Sequence, residues 1–233
     1  MDPIVACRNI TKHYRQGMID VPAVQGIDLD IMRGDFASLA GPSGSGKTTL
    51  LNIIGGLDRP SGGTVTIDGE EITQLDASRL ADLRLRKIGF VFQAYNLIPV
   101  LSAAENVEFI LQLMGVSKSE RRHRAQDVLG QVGLAGLEDR RPARLSGGQQ
   151  QRVAVARALA SRPAIVLADE PTANLDSNAA EGLISLMKDL NRSSGITFLM
   201  ATHDQRVIAH TRRHITITDG RIASDEQRRN SLD

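Results

Sequence analysis

The stretch Gly41-Pro42-Ser43-Gly44-Ser45-Gly46-Lys47-Thr48-Thr49 fits the pattern G-x-x-x-x-G-K-[ST] of a phosphate-binding loop. Its glycines allow turns that bring successive N–H groups round onto phosphate oxygens, and the dipole of a following helix favours the same anion. Lys47 has the length to reach β- and γ-phosphates, and the Thr48 hydroxyl is placed to ligate Mg²⁺. Further along, IVLADEP ends an apolar run in two carboxylates, Asp169 and Glu170. At the carboxyl edge of a parallel sheet, Asp169 is expected to hold the magnesium through its water shell. Glu170 is then left to polarise an attacking water.

A second glycine-rich turn, Leu145-Ser146-Gly147-Gly148-Gln149, precedes an amphipathic stretch. One phosphate loop accounts for one triphosphate, so this turn is surplus to a one-site monomer. It reads either as a simple helix start, with Ser146 as N-cap, or as a lid closing over a nucleotide held by another copy of the chain. Three single positions are equally two-sided. His203, two residues beyond ITFLMA, is either a surface residue or a reader of the γ-phosphate. Gln93, after KIGFVF, either contacts Mg²⁺ and water or ends a strand in solvent. Tyr14, one of only two tyrosines in a chain without tryptophan, either stacks on adenine or packs in a core.

The elements that must position these groups follow from periodicity. PIVACRNI and PAVQGIDLDI read as strands, the second placing Ile27, Leu29 and Ile31 on one face. FASLA leads into the phosphate loop and KTTLLNIIGGL out of it, while GGTVTIDGEEI is a strand followed by an Asp-Gly turn. From about residue 94 to 145 the spacing of Val107, Ile110, Leu111 and Met114, then of Ala125, Val128, Leu129 and Val132, predicts helices. Afterwards helix and strand alternate. A helix starts near Gly147, a strand spans 164–170, a helix runs from about 178 to 191 on Ala180, Leu183, Ile184, Met187 and Leu190, and a strand spans 196–201. HITITDGRIAS closes as a hairpin, and 225–233 is expected to be a polar, disordered tail. Strands apolar on both faces, each followed by a helix, imply an α/β fold with a mainly parallel sheet.

The 233 residues carry 28 Lys+Arg against 27 Asp+Glu, a balance that argues against a nucleic-acid binder. Arg121–Arg124 and Arg140–Arg141 read as solvated faces. The single Cys7 excludes an internal disulfide and suits a reducing compartment. No signal peptide and no run long enough to span a bilayer is apparent.

Taken in order, Tyr14, Gly41–Thr49, Gln93, Leu145–Arg152, Asp169–Glu170, Asn174–Asp176 and His203 resemble the motif set of the ATP-binding-cassette ATPases, over about residues 3–224. The stretches GPSGSGKTTLLNIIGGLDRPSGG, IGFVFQAYNLIP, ADEPTANLD and MATHD are more similar still to the lipoprotein-releasing and macrolide-export subfamily. The resemblance implies a phosphate-loop NTPase core at 1–93 and 153–224, made of a RecA-like part and an antiparallel β-subdomain. It also implies a helical subdomain at 94–152. It makes Lys47, Glu170 and His203 catalytic and gives Tyr14 the adenine. Thr48, Gln93 and Asp169 go to Mg²⁺, and Ser146–Gln149 to the partner's ATP. Asp176 becomes a link between sites, and Tyr95, Asn96, Leu97 and Ile98 a coupling surface. Implied partners are a second copy and an integral-membrane permease with a large periplasmic domain, with the chain held peripherally at the cytoplasmic face of the bacterial inner membrane. Asn174 stands where many relatives carry Ser or Gly. Rival readings are a non-transport cassette, against which the missing heptad coils and second cassette argue, and a phosphate-loop kinase, which leaves the second turn unexplained.

Overall fold

Period-two alternation of apolar residues is the reason the chain builds two sheets with two cores. A computed structural model describes residues 2–17 and 19–228. Strands β1 (Val5–Gln16), β2 (Ile19–Ile31), β4 (Gly62–Ile67) and β5 (Glu70–Glu71) form an antiparallel sheet ordered β2-β1-β4-β5. The second sheet is ordered β10-β9-β3-β8-β7-β6. It comprises β3 (Phe36–Ala40), β6 (Ile88–Val91), β7 (Ile165–Asp169), β8 (Phe198–Thr202), β9 (Arg213–Thr218) and β10 (Arg221–Gln227). All its pairings are parallel except β9–β10. The fold is therefore the expected α/β class with an antiparallel N-terminal sheet.

Both faces of the parallel sheet are covered, and successive residues feed different cores. Ile165 and Leu167 of β7, with Leu199 and Ala201 of β8, face the antiparallel sheet and the helices α1 (Lys47–Ile54) and α2 (Ala77–Lys87). Val166, Ala168, Phe198 and Met200 face the other way, toward α3 (Ala103–Leu113), α4 (Lys118–Gln131), α5 (Gly147–Leu159) and α6 (Ser177–Ser194). Phe36 and Phe198 meet edge-on there, centroids 5.7 Å apart. Last comes the short α7 (Gln205–His210).

Three expectations shift. Helix α2 was not foreseen, although Asp76 caps it by accepting from the Arg79 N–H and Leu80 and Leu83 supply its buried spacing. The boundary at 152–153 falls inside α5, one continuous helix whose Val153, Val155, Ala156 and Ala158 pack in the same core as the sheet. The tail expected from 225 starts later, because β10 pairs with β9 as far as Gln227 opposite Arg213. Residues 229–233 of that tail lie outside the described ones. Among the described residues no helix is long and apolar enough to cross a membrane.

Candidate nucleotide site

Strand β3 ends at Ala40, and the chain then needs conformations that only glycine takes easily. Gly41, Gly44 and Gly46 have φ of 149°, 79° and 102°. A Cβ on Gly41 would stand 2.1 Å from the Ile217 carbonyl oxygen, and one on Gly46 2.3 Å from that of Ala23. Gly46 is also the N-cap of α1 and offers no side-chain cap, so the first N–H groups of that helix are left for an anion. Lys47 Nζ donates to the carbonyls of Gly41 and Pro42, both at 2.8 Å, which holds the ammonium within the loop. The buried Ser45 hydroxyl has no protein partner among the described residues.

Two strands away, β7 delivers Asp169 so that the Thr48 hydroxyl donates to its Oδ1 at 3.0 Å. Burial, with some help from the Glu170 charge, holds the Asp169 carboxyl above its ordinary value despite Thr48 and Lys47. A hydroxyl and a carboxylate oxygen so close together are hard donors suited to Mg²⁺. Glu170 follows in the left-handed region, φ 45°, a strained placement for a residue with a Cβ. Its Oε1 lies 2.6 Å from His203 Nδ1, and its Oε2 accepts from the Thr202 hydroxyl at 3.1 Å. Lys47, Thr48, Gln93, Glu170 and His203 line one cavity of about 620 Å³ at the carboxyl edge of the sheet.

The turn carrying His203 is fastened to the one after Glu170 by Asp204. This residue caps α7 through the Arg206 N–H, accepts from the Thr172 hydroxyl at 2.8 Å and pairs with the Arg206 guanidinium. Bonding from Arg206, then Thr172, outweighs burial and holds the Asp204 carboxyl down at about 2, against an ordinary 3.8. A carboxyl lowered in the folded chain contributes stability above its unfolded value and loses it as pH falls toward about 2. Asp204→Ala is expected to cost about 1–2 kcal/mol at pH 7. Denaturant unfolding of both proteins should show that gap at pH 7 and a narrower one at pH 3; an equal gap at both would remove the charge from the account.

Ser146 is the N-cap of α5 in a reciprocal capping box with Gln149, at 3.2 and 3.0 Å. Ser146, Gly147, Gly148 and Gln149 nevertheless lie outside the lining of the phosphate-loop cavity. Asp176 caps α6, accepting from the Ala179 N–H at 2.9 Å. Tyr14 is 40% exposed, which excludes core packing; its hydroxyl donates to Asp58 at 2.7 Å and Lys12 Nζ sits 4.9 Å from its ring centre. The four coupling candidates separate. Leu97 packs on the helical core, and the Tyr95 hydroxyl donates to the Asn174 carbonyl at 3.2 Å. Asn96 and Ile98 line a groove of about 470 Å³ with Leu57, Leu85, Phe90 and Phe109.

Sequence reading passed over Gln151 and Arg157, which hold the loop after β6 from α5. The signal was present. Both are polar residues among Val153, Ala154, Val155 and Ala158 on a helix with a buried face, where an unpaired polar group is costly.

Fold and site together define a phosphate-loop nucleoside triphosphatase. The comparisons narrow this. A family model described as ABC transporter matches residues 24–173. A lipoprotein-releasing system ATP-binding protein, LolD, from Anaeromyxobacter dehalogenans is 46% identical over 98% of this chain and 96% of its own length. A macrolide export ATP-binding/permease protein, MacB, from Hyphomonas neptunium is 45% identical over 96% of this chain, which spans only 34% of that relative. The dimeric post-hydrolysis structure of the ATP-binding cassette MJ0796, bound to ADP and Pi, superposes with a TM-score of 0.89. It is 46% identical, covering 97% of this chain and 99% of that one. The chain belongs to the ABC transporter family, as an ATP-hydrolysing cassette. The rival readings, a kinase or a non-transport cassette, are not favoured.

Proposed function

We propose that two copies of this chain close head to tail around two ATP molecules and drive a separate membrane permease. The observation that carries this reading is a division within one chain. The cavity collects Lys47, Thr48, Gln93, Glu170 and His203, while the glycine turn at the start of α5 faces elsewhere. In the two-fold arrangement each cavity receives its missing donors, Ser146 and the Gly147 and Gly148 N–H groups, from the partner. Glu170, oriented by Thr202 and His203, takes a proton from water as the water attacks the γ-phosphorus. The β–γ bond breaks, and ADP and phosphate leave. Lys47 holds the phosphate oxygens. Mg²⁺, held by Thr48 and Asp169 near Gln93, would neutralise charge on the β- and γ-phosphates. Tyr14 offers its exposed ring to adenine, fixed by Asp58 and Lys12.

The groove beside Asn96 and Ile98 is the docking place for a permease segment, and so the chain would sit peripherally on the cytoplasmic face of the inner membrane. Leu57 and Phe109 leave 47% and 39% of their surface uncovered there, on a wall otherwise rich in Leu and Phe. Likeness to LolD over nearly the whole of its length favours a separate permease of the lipoprotein-releasing or macrolide/peptide-export type, with a large periplasmic domain. Phe109→Asp, outside the nucleotide cavity, is expected to keep ATPase activity of the isolated chain within about twofold. The same change should lower co-purification with the permease at least about tenfold, as expected for a charge buried at an interface. Undiminished co-purification would move the docking surface elsewhere.

A further inference from the structure

The loop between β6 and α3 joins the two places that have to communicate. Gln93 at its start lines the nucleotide cavity, while Asn96 and Ile98 line the apolar groove. Its path is unusual, because Tyr95 and Asn96 are consecutive residues in the left-handed region, at φ 59° and 51°. Side chains with a Cβ resist that conformation, so something must enforce it.

The enforcement is visible at the carbonyls. From Phe92 to Asn96 every backbone carbonyl accepts a hydrogen bond. Phe92 takes the Gln151 amide at 3.2 Å, Gln93 takes the Asn174 amide at 3.0 Å, and Ala94 takes the Asn96 N–H at 2.6 Å. Tyr95 and Asn96 take the two arms of one guanidinium, Arg157 Nη2 at 3.0 Å and Nη1 at 2.5 Å. Gln151 is fully buried and also donates to the Pro171 carbonyl at 2.8 Å, one residue beyond Glu170. Gln151 and Arg157 both belong to α5, the helix whose N-terminus is the second glycine turn. Asn174, from the turn that follows β7, supplies the third holding point.

A fork that binds two successive carbonyls fixes both the position and the rotation of that peptide pair, which a single flexible donor does not. We propose that Arg157 is a positioning residue for hydrolysis: its guanidinium sets the bend at Tyr95–Asn96 and thereby where Gln93 stands in the nucleotide cavity. Arg157 also lines the groove. Whatever enters the groove therefore meets the group that holds the loop, and the effect reaches Gln93 through three residues of clamped backbone. This rests on the reading that Gln93 serves the nucleotide site, and the test separates the two.

Steady-state ATPase kinetics of the full chain with Mg·ATP would be compared for wild type, Gln93→Ala, Arg157→Met, Arg157→Lys and the double variant Gln93→Ala/Arg157→Met. Arg157→Met is expected to lower kcat about tenfold with KM for ATP within about twofold, as for a misplaced group felt at the reacting centre. Arg157→Lys, which keeps one donor, should recover part of that loss. The double variant should be no slower than Gln93→Ala alone, because Arg157 acts through Gln93. Multiplicative losses would overturn the proposal, as would a loss of activity in Arg157→Met that follows a lowered Tm and is not relieved in Arg157→Lys. A Gln93→Ala chain with wild-type kcat would overturn the reading of Gln93 and the proposal together. Wild-type kcat in Arg157→Met beside a slow Gln93→Ala overturns the proposal alone.

Discussion

Glu170→Gln is expected to reduce phosphate release by about 1000-fold while ATP binding stays within about twofold of wild type. Few substitutions isolate chemistry from structure so well. The glutamine has the same shape, and its carbonyl oxygen can still accept from His203 Nδ1, 2.6 Å away in the wild type. Its amide then faces Thr202, whose hydroxyl can accept as well as donate. What disappears is the ability to take a proton. The left-handed backbone at Glu170 makes the same point, since strain is kept at the one residue whose carboxylate lines the cavity beside His203. If ATP binding closes the dimer and hydrolysis reopens it, the variant should also accumulate as an ATP-dependent dimer. Light scattering would detect the doubled mass, and phosphate release would measure the loss. A variant that hydrolyses at the wild-type rate would take Glu170 out of the role of base, leaving it as a support for His203.

How much of this was legible beforehand differs between strands and loops for a physical reason. Strands β3, β7 and β8 could be read from runs such as FASLA and IVLAD because burial on both faces leaves few alternatives to continuous apolar residues. Phosphate-loop glycines could be read for a similar reason, since positive φ and a carbonyl 2.1–2.3 Å from a would-be Cβ admit no other residue at Gly41 and Gly46. Helix α2 was missed because its exposed face carries four arginines or lysines around two buried leucines, a weak stripe that reads as loop. The clamp on the loop after β6 was harder to see. Its acceptors are backbone carbonyls, which have no sequence signature, and its donors Gln151, Arg157 and Asn174 lie far along the chain. Leu97 was ambiguous for a different reason. An apolar residue in a loop can be uncovered surface or can turn back onto a core, and here it packs against the helices.

Gly148→Asp is expected to lower hydrolysis about 100-fold while ATP binding to the single chain stays within about twofold. The reason lies in which N–H groups the capping box consumes. Ser146 N–H donates to Gln149 Oε1 and Gln149 N–H donates to Ser146 Oγ, so both ends of that pair are satisfied. Gly147 and Gly148 come next in the first turn, where a helix has no carbonyls of its own to offer them. Those two N–H groups, the remaining Ser146 hydroxyl proton and the positive end of α5 all favour an anion, yet the chain's own phosphate loop lies elsewhere. An aspartate there would present a negative charge to the partner's γ-phosphate. A Cβ at Gly148 stands 3.1 Å from Ala179 Cβ, so the start of α6 must give by a few tenths of an ångström. Gly148→Ala has the same contact without the charge and should lose far less activity, which separates repulsion from crowding. Nucleotide binding to the single chain, followed by fluorescence of a labelled ATP, gives the decisive comparison. If binding falls together with hydrolysis, the turn supports its own chain's site, and the argument for a shared one fails.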